Sequence, residues 1–222
     1  MTELRSEREN EGGGERVLTI GHSTLDLSTF LDMLKKARVT AIADVRSSPV
    51  SRRFPHFDSE SLRVSLKVHG IKYVPLGKEL GGRPRANRLY CDGVADYEKM
   101  AREPDFLEGV ERVMKGAAEH TIALMCSEHN PLDCHRCLLV GRALAERGVS
   151  LGHILGNGRI AEQHEIEEKL LSLFDGATRD MLDTRAERLA NAYKLRSKNV
   201  AYRKPEPAKA GTAAQSLERH AT

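Results

Sequence analysis

Between residues 16 and 155, short apolar runs alternate with stretches whose apolar residues recur at helical spacing. The runs at 16–20 (RVLTI), 40–45 (TAIADV), 71–76, 121–125 and 150–155 have the length and aliphatic content of buried strands. The stretches between them predict helices. Residues 27–37 carry Leu27, Phe30, Leu31 and Leu34 at helical spacing, with Asp26 as N-cap. Residues 59–69 form a second helix, closed by Gly70, a residue free to take the left-handed turn that ends helices. Residues 104–119 place Phe106, Leu107, Val110 and Val113 on one face, and 134–147 run to Gly148. A loop rich in glycine and arginine fills 77–93. This alternation predicts an α/β fold: three layers, a mostly parallel sheet with helices on both faces, plus a helical C-terminal extension formed by 162–174 and 179–198. The domain plan is a flexible leader at 1–15, an α/β core domain at 16–164, a helical extension at 165–200 and a disordered basic tail at 201–222.

Composition narrows the function classes. The 222 residues suit one domain with an appendage, and 40% hydrophobic with 30% charged residues is globular composition. Lys and Arg number 35 against 32 Asp and Glu, a net +3 that excludes a histone-like polycation. The charge is uneven, with five Glu and two Arg in residues 1–15 but six Lys or Arg and one Glu in 194–209. Tryptophan is absent and aromatics make up 5%, which counts against a base-stacking platform for nucleic acid. No apolar run reaches the ~20 residues of a membrane span, and the polar N-terminus is no secretory signal. A cytoplasmic protein with no membrane partner is therefore expected, its four cysteines reduced and too few for a disulfide scaffold. No Gly-x-Gly-x-x-Gly follows the first strand and no Walker loop is present, so no cofactor is expected.

Ligands of such sheets bind beyond the carboxyl ends of the strands, and those ends hold the unusual residues. His22 and Ser23 follow the first strand; Asp44 ends the second, followed by Arg46 and Arg52; Arg83 lies after the third. After the fourth strand comes Cys126-Ser127-Glu128, then Cys134-His135-Arg136, with Cys134 and His135 expected in the first turn of the next helix. A helix N-terminus favours anions and lowers a thiol pKa, and convergent arginines suit carboxylate or phosphate. Strand, cysteine, loop, arginine, helix is also the layout of cysteine phosphatases and rhodaneses, although nine residues here separate Cys126 from Arg136. The first reading is a thiol-dependent transferase or hydrolase. Cys126, Cys134, His22, Glu128 and His135 are its candidate catalytic residues; Ser23, Asp44, Arg46, Arg52, Arg83 and Arg136 would bind an anionic small molecule. The second is a nucleic-acid or nucleotide-binding module that uses the same arginines and the basic tail. The third is a Cys/His metal-binding protein, which needs Cys126, Cys134 and His135 to converge with His22, His129 or Glu128. No metal ligands are assigned, because the one tight cysteine pair, Cys134 and Cys137, lies within a predicted helix without a second pair. Oligomeric state is open.

Several motifs occur together and in order: Thr19-Ile20-Gly21-His22-Ser23-Thr24; Asp44-Val45-Arg46-Ser47 with Pro49, Ser51-Arg52 and Phe57; Gly70-Ile71 and Tyr73; Leu80-Gly81-Gly82-Arg83; Leu124-Met125-Cys126-Ser127-Glu128; and Cys134-His135-Arg136. Over about residues 17–164, roughly two-thirds of the chain, this pattern resembles the family called "domain of unknown function 488". The resemblance implies a single α/β domain with a functional edge carrying His22, Asp44, Arg46, Arg52, Cys126, Glu128, Cys134, His135 and Arg136. It does not extend to the helical C-terminus.

Overall fold

The computed structural model describes residues 16–174 and 183–205. The expected leader, the start of the last expected helix and tail residues 206–222 lie outside the described residues. In the first half, β1 (Arg16–Gly21), α1 (Leu27–Lys36), β2 (Ala41–Asp44), α2 (Ser59–Val68) and β3 (Lys72–Pro75) follow the sequence pattern closely. Asp26 caps α1 through the Thr29 N–H, and Gly70 turns at φ 71° after α2. The loop expected at 77–93 contains a short helix, α3 (Gly77–Leu80), and then the first strand of a hairpin, β4 (Tyr90–Cys91) and β5 (Val94–Ala95). After α4 (Tyr97–Met100), α5 (Pro104–Ala117) and β6 (Ile122–Cys126) again match. The helix expected at 134–147 differs: Cys134 is extended (φ −138°, ψ 138°), Arg136–Gly141 form a wide π-helical segment, and α6 spans only Arg142–Ala145. Then come β7 (Ser150–Ile154), β8 (Ile160–Glu162), α7 (Gln163–Ser172) and α8 (Arg185–Val200). The start expected for α7, near 162, instead belongs to β8.

The six-stranded sheet has the order β3-β2-β6-β1-β7-β8. Its first five strands are parallel; β8 returns antiparallel along β7. Alternate residues of each strand feed opposite faces, as a pleated strand requires. Leu18, Ile20, Ile42, Ala123 and Met125 pack with α1 and α2, whereas Val17, Ala41, Ala43, Leu124 and Cys126 pack with α5, the π-helical segment and α7–α8. The sheet is thus the middle of three layers, and the C-terminal helices cover the Cys126 face. From β2 the chain moves outward to β3, and from neighbouring β6 it moves the other way, over β1 to β7. Connections that diverge from two adjacent strands leave a crevice between their carboxyl ends. Here that crevice lies between Asp44 and Cys126.

No described helix is long and apolar enough to cross a membrane.

Candidate functional site

Two polar clusters fill the crevice. The first follows β2. Asp44 and Arg46 are buried and form an ion pair at 2.6 Å; Arg46 Nε donates to both Asp44 oxygens, and Tyr73 O–H donates to Oδ2 at 2.6 Å. Arg46 also donates to the Phe57 carbonyl at 2.8 Å. His22 stacks on Phe57 at 4.2 Å. Its Nδ1 lies 3.1 Å from the Ser23 carbonyl, which takes that proton and leaves Nε2 to face Arg46 at 3.4 Å. Burial, reinforced by the Arg46 charge, lowers the His22 pKa to about 4, so the ring is neutral. Burial and the Asp44 carboxylate push the Tyr73 phenol well above its ordinary range.

The second cluster follows β6. Cys126 and Cys134 are 3% and 1% exposed, so neither thiol is reached freely from solvent. Glu128 stands at the surface and turns Oε2 inward, 2.8 Å from Cys126 Sγ and 3.0 Å from Cys134 Sγ. His135 Nε2 lies 2.8 Å from the Val45 carbonyl at the end of β2. A carbonyl only accepts, so Nε2 carries a proton, and Nδ1 faces Cys126 and Cys134 at 3.7 and 3.8 Å. One ligand atom from each of the four side chains lies within 4.8 Å of all the others. Burial and the neighbouring Cys134 push the Cys126 thiol up. Cys134 is held below the usual thiol range: burial opposes ionisation, but the Cys126 hydrogen bond and the Arg136 and His135 charges outweigh it. Burial raises the Glu128 pKa. For His135, burial pulls down while the Cys134 charge raises more strongly.

Local backbone explains how the donors meet. The loop after β6 folds back over the end of β1: His22 N–H bonds the Cys126 carbonyl and Ser23 N–H the Ser127 carbonyl. Only glycine fits at position 21, where a Cβ would lie 1.9 Å from the Glu128 carbonyl oxygen. A Cβ on Gly82 would lie 2.7 Å from the His135 ring. Arg136 is fully buried and ties the loop down, donating to the Glu128 carbonyl at 2.5 Å and the His129 carbonyl at 3.0 Å. Its Nε has no partner, alone among the described buried side-chain polar atoms.

A sequence profile described as "Domain of unknown function DUF488" matches residues 26–143, more than half of the chain. The chain belongs to the DUF488 family. No curated protein and no solved structure matches it. The DUF488 match runs from the cap of α1 into α6 and includes both clusters except His22. It is shorter at each end than the resemblance read from the motifs, leaving out β1 and everything from β7 onward.

Of the expected residues, Cys126, Glu128, Cys134 and His135 converge. Asp44, Arg46 and His22 form their own closed network. Arg136 is spent on loop carbonyls and does not face the cleft. Arg52 is exposed and lines none of the cavities described. Ser23 takes a left-handed φ of 47° in the turn after β1. Arg83 borders the cleft, its N–H bonded to Ser47 Oγ at 2.9 Å. Cys134 precedes the helix instead of lying in its first turn: its carbonyl accepts from Cys137 and Leu138, which leaves the thiol free to point at Glu128. Cys137 is the core thiol expected from its spacing, its pKa pushed up to about 12 by burial. Sequence reading missed Val45, whose carbonyl orients His135, and Tyr202, which lines the cleft from a segment classed as tail. A tyrosine within that basic stretch was the available signal.

Proposed function

We propose that Cys126, Glu128, Cys134 and His135 form a divalent-metal centre of the zinc class, and that the protein is a metal-dependent enzyme with its reaction centre in the crevice. The observation that carries this reading is the convergence of four donors of zinc-ligand type within 4.8 Å. Zinc bonds of about 2.0–2.3 Å set tetrahedral neighbours about 3.3–3.8 Å apart, and the sulfur–Nδ1 separations of 3.7 and 3.8 Å agree. The shorter sulfur–oxygen separations require the Glu128 carboxylate to move outward, and Glu128 is the donor carried on an exposed loop residue. The Val45 carbonyl on the far side of His135 is the partner that metal-bound imidazoles use to fix ring and tautomer. Charge balance also supports a cation. Two thiolates and a carboxylate around a divalent ion carry a net −1, and buried Arg136, with no carboxylate partner among the described residues, offsets it. With Glu128 as the exchangeable ligand, Cys126, Cys134 and His135 hold the metal and leave a position for water or substrate.

The test is metal analysis of the full-length protein, with cobalt substitution. About one equivalent of zinc, and a thiolate-to-cobalt charge-transfer band lost in Cys134→Ser and His135→Asn, are expected. No stoichiometric metal and no such band after incubation with zinc or cobalt would overturn the reading.

A second reading, a nucleophilic cysteine, has one specific support: Cys134 is shifted down and His135 up, as in a thiolate–imidazolium pair. Against it, the arginines expected to cradle an anion beside the thiolate are committed elsewhere, Arg46 to Asp44 and Arg136 to the loop. Metal-free protein whose Cys134 alkylates rapidly at neutral pH favours this reading.

A further inference from the structure

The C-terminal segment beyond the family match supplies a wall of the same cleft. From α8, residues 201–205 run along the β4–β5 hairpin instead of departing as a tail. Ala95 N–H donates to the Tyr202 carbonyl at 2.9 Å, Lys204 N–H to the Gly93 carbonyl at 2.8 Å, and Arg203 bridges Val94. The Lys204 ammonium sits 3.9 Å from the Tyr90 ring centre. Upstream, Arg196 pairs with Asp133 and donates to the Leu132 carbonyl at 2.9 Å, which fastens α8 to the loop carrying the cysteines. Val200 and Tyr202 thereby face Cys126, Glu128 and His135 across a cavity of about 270 Å³.

Tyr202 also carries a charge into that cavity. The Arg83 guanidinium lies over its ring, 4.8 Å from the centroid. Arg83 has no carboxylate partner among the described residues, in contrast to the other cation of the cavity, Arg46, which is paired with Asp44. The acidic groups there are also committed, Asp133 to Arg196 and Glu128 to the thiol cluster. Arg83 is therefore the one uncompensated charge facing the cleft among the described residues. A second cavity, of about 510 Å³, shares Arg46, Ser47 and Arg83 with the first.

We infer that Arg83, stacked on Tyr202, is the anion-binding group of the metal cleft, and that the ligand is a small oxyanion, phosphate or carboxylate, free or at the end of a larger molecule. This rests on the metal reading for the oxyanion's second partner, the ion itself. Guanidinium pairs bidentately with such groups, and an aromatic face holds it in position without neutralising it. A cavity of 270 Å³ lies below the size that takes a whole drug-sized ligand. The larger cavity offers room for the body of a longer one.

The experiment is titration of cobalt-loaded full-length protein with inorganic phosphate, acetate and phenyl phosphate, read by calorimetry and by the visible cobalt spectrum. Saturable spectral change is expected with at least one probe, and tighter binding of phenyl phosphate than of inorganic phosphate assigns the larger cavity to the ligand body. Arg83→Gln is expected to weaken binding about tenfold, the loss of one charged hydrogen-bonded pair. Tyr202→Ala should weaken it several-fold and Tyr202→Phe hardly at all, because the ring and not the hydroxyl positions Arg83. Equal affinity in wild type and Arg83→Gln, or no binding of any probe, overturns the assignment. If the protein takes up no metal, the metal reading fails, and the same calorimetric comparison of Arg83→Gln with wild type in metal-free protein still decides the role of Arg83.

Discussion

The ends of β2 and β6 lie side by side, and each carries a buried polar cluster. At the end of β2, the charges and hydrogen-bonding groups of Asp44, Arg46 and Tyr73 answer one another, and His22 is neutral. At the end of β6, two thiols, a carboxylate and an imidazole are pressed together beside an arginine whose Nε has no partner. Buried polar groups are stable when their partners are present and costly when they are not. The first cluster is complete as it stands and needs nothing from solution. The second, on the metal reading proposed above, becomes complete with a cation. Of the arginines read from sequence as a ligand cradle, Arg46 belongs to the complete side and Arg136 is spent on loop carbonyls, which is why the proposed reaction centre lies at the thiol–imidazole group and not at Arg46.

Removing a partner from the complete cluster should cost most. Asp44→Ala leaves Arg46 buried without its counterion, a loss of about 3–5 kcal/mol that chemical denaturation will read; a loss under 1 kcal/mol would break the contrast. A third buried group tests the same rule away from both clusters. His153 accepts from Thr19 O–H at 2.9 Å and donates to Gln163 Oε1 at 2.7 Å, and burial lowers its pKa to about 4. Between pH 6.5 and 4 the unfolded chain therefore binds a proton that the native state refuses. Stability is full above that window and is lost as pH falls through it, by about 3 kcal/mol. His153→Asn should flatten this part of the profile in thermal melts across pH. Gly21→Ala sets a Cβ against the Glu128 carbonyl and should cost about 1–3 kcal/mol while also lowering metal occupancy, since it displaces the loop that carries the proposed ligand Glu128. The smallest stability effect belongs to the incomplete side. Glu128→Gln should change unfolding of the metal-free protein by less than about 1 kcal/mol, yet weaken metal retention against a chelator. If Asp44→Ala and Glu128→Gln fall equally in metal-free protein, the two clusters are alike and the distinction fails.

The strand and helix succession was legible because burial imposes a period on the chain. The run 121–125 has the aliphatic content that a central strand covered on both sides requires, and Asp26 and Gly70 mark helix ends by chemistry that needs no tertiary context. The hairpin at 90–95 and strand β8 escaped because each is two or three residues long, too short for a period to register. Cys126, Glu128, Cys134 and His135 were legible as candidates by position after a strand. Their convergence was not, because seven residues separate the two cysteines and His135 stands at the start of a π-helical turn that helical spacing does not predict. Tyr202 was hidden by composition: a basic, proline-bearing stretch reads as tail, and only the edge of a distant hairpin gives it a place.

By itself the sequence determined the α/β class, the strand edge that gathers the candidate residues and membership of a family, since local periodicity and ordered motifs are properties of the chain alone. Tertiary structure decided which arginines are free, which donors meet and what closes the cleft. Those outcomes depend on pairings between residues far apart in the chain, Arg136 with the loop before it, His135 with Val45, and Arg83 with Tyr202. Charge and hydrogen-bonding capacity can be counted from composition, but only geometry tells whether each is already spent.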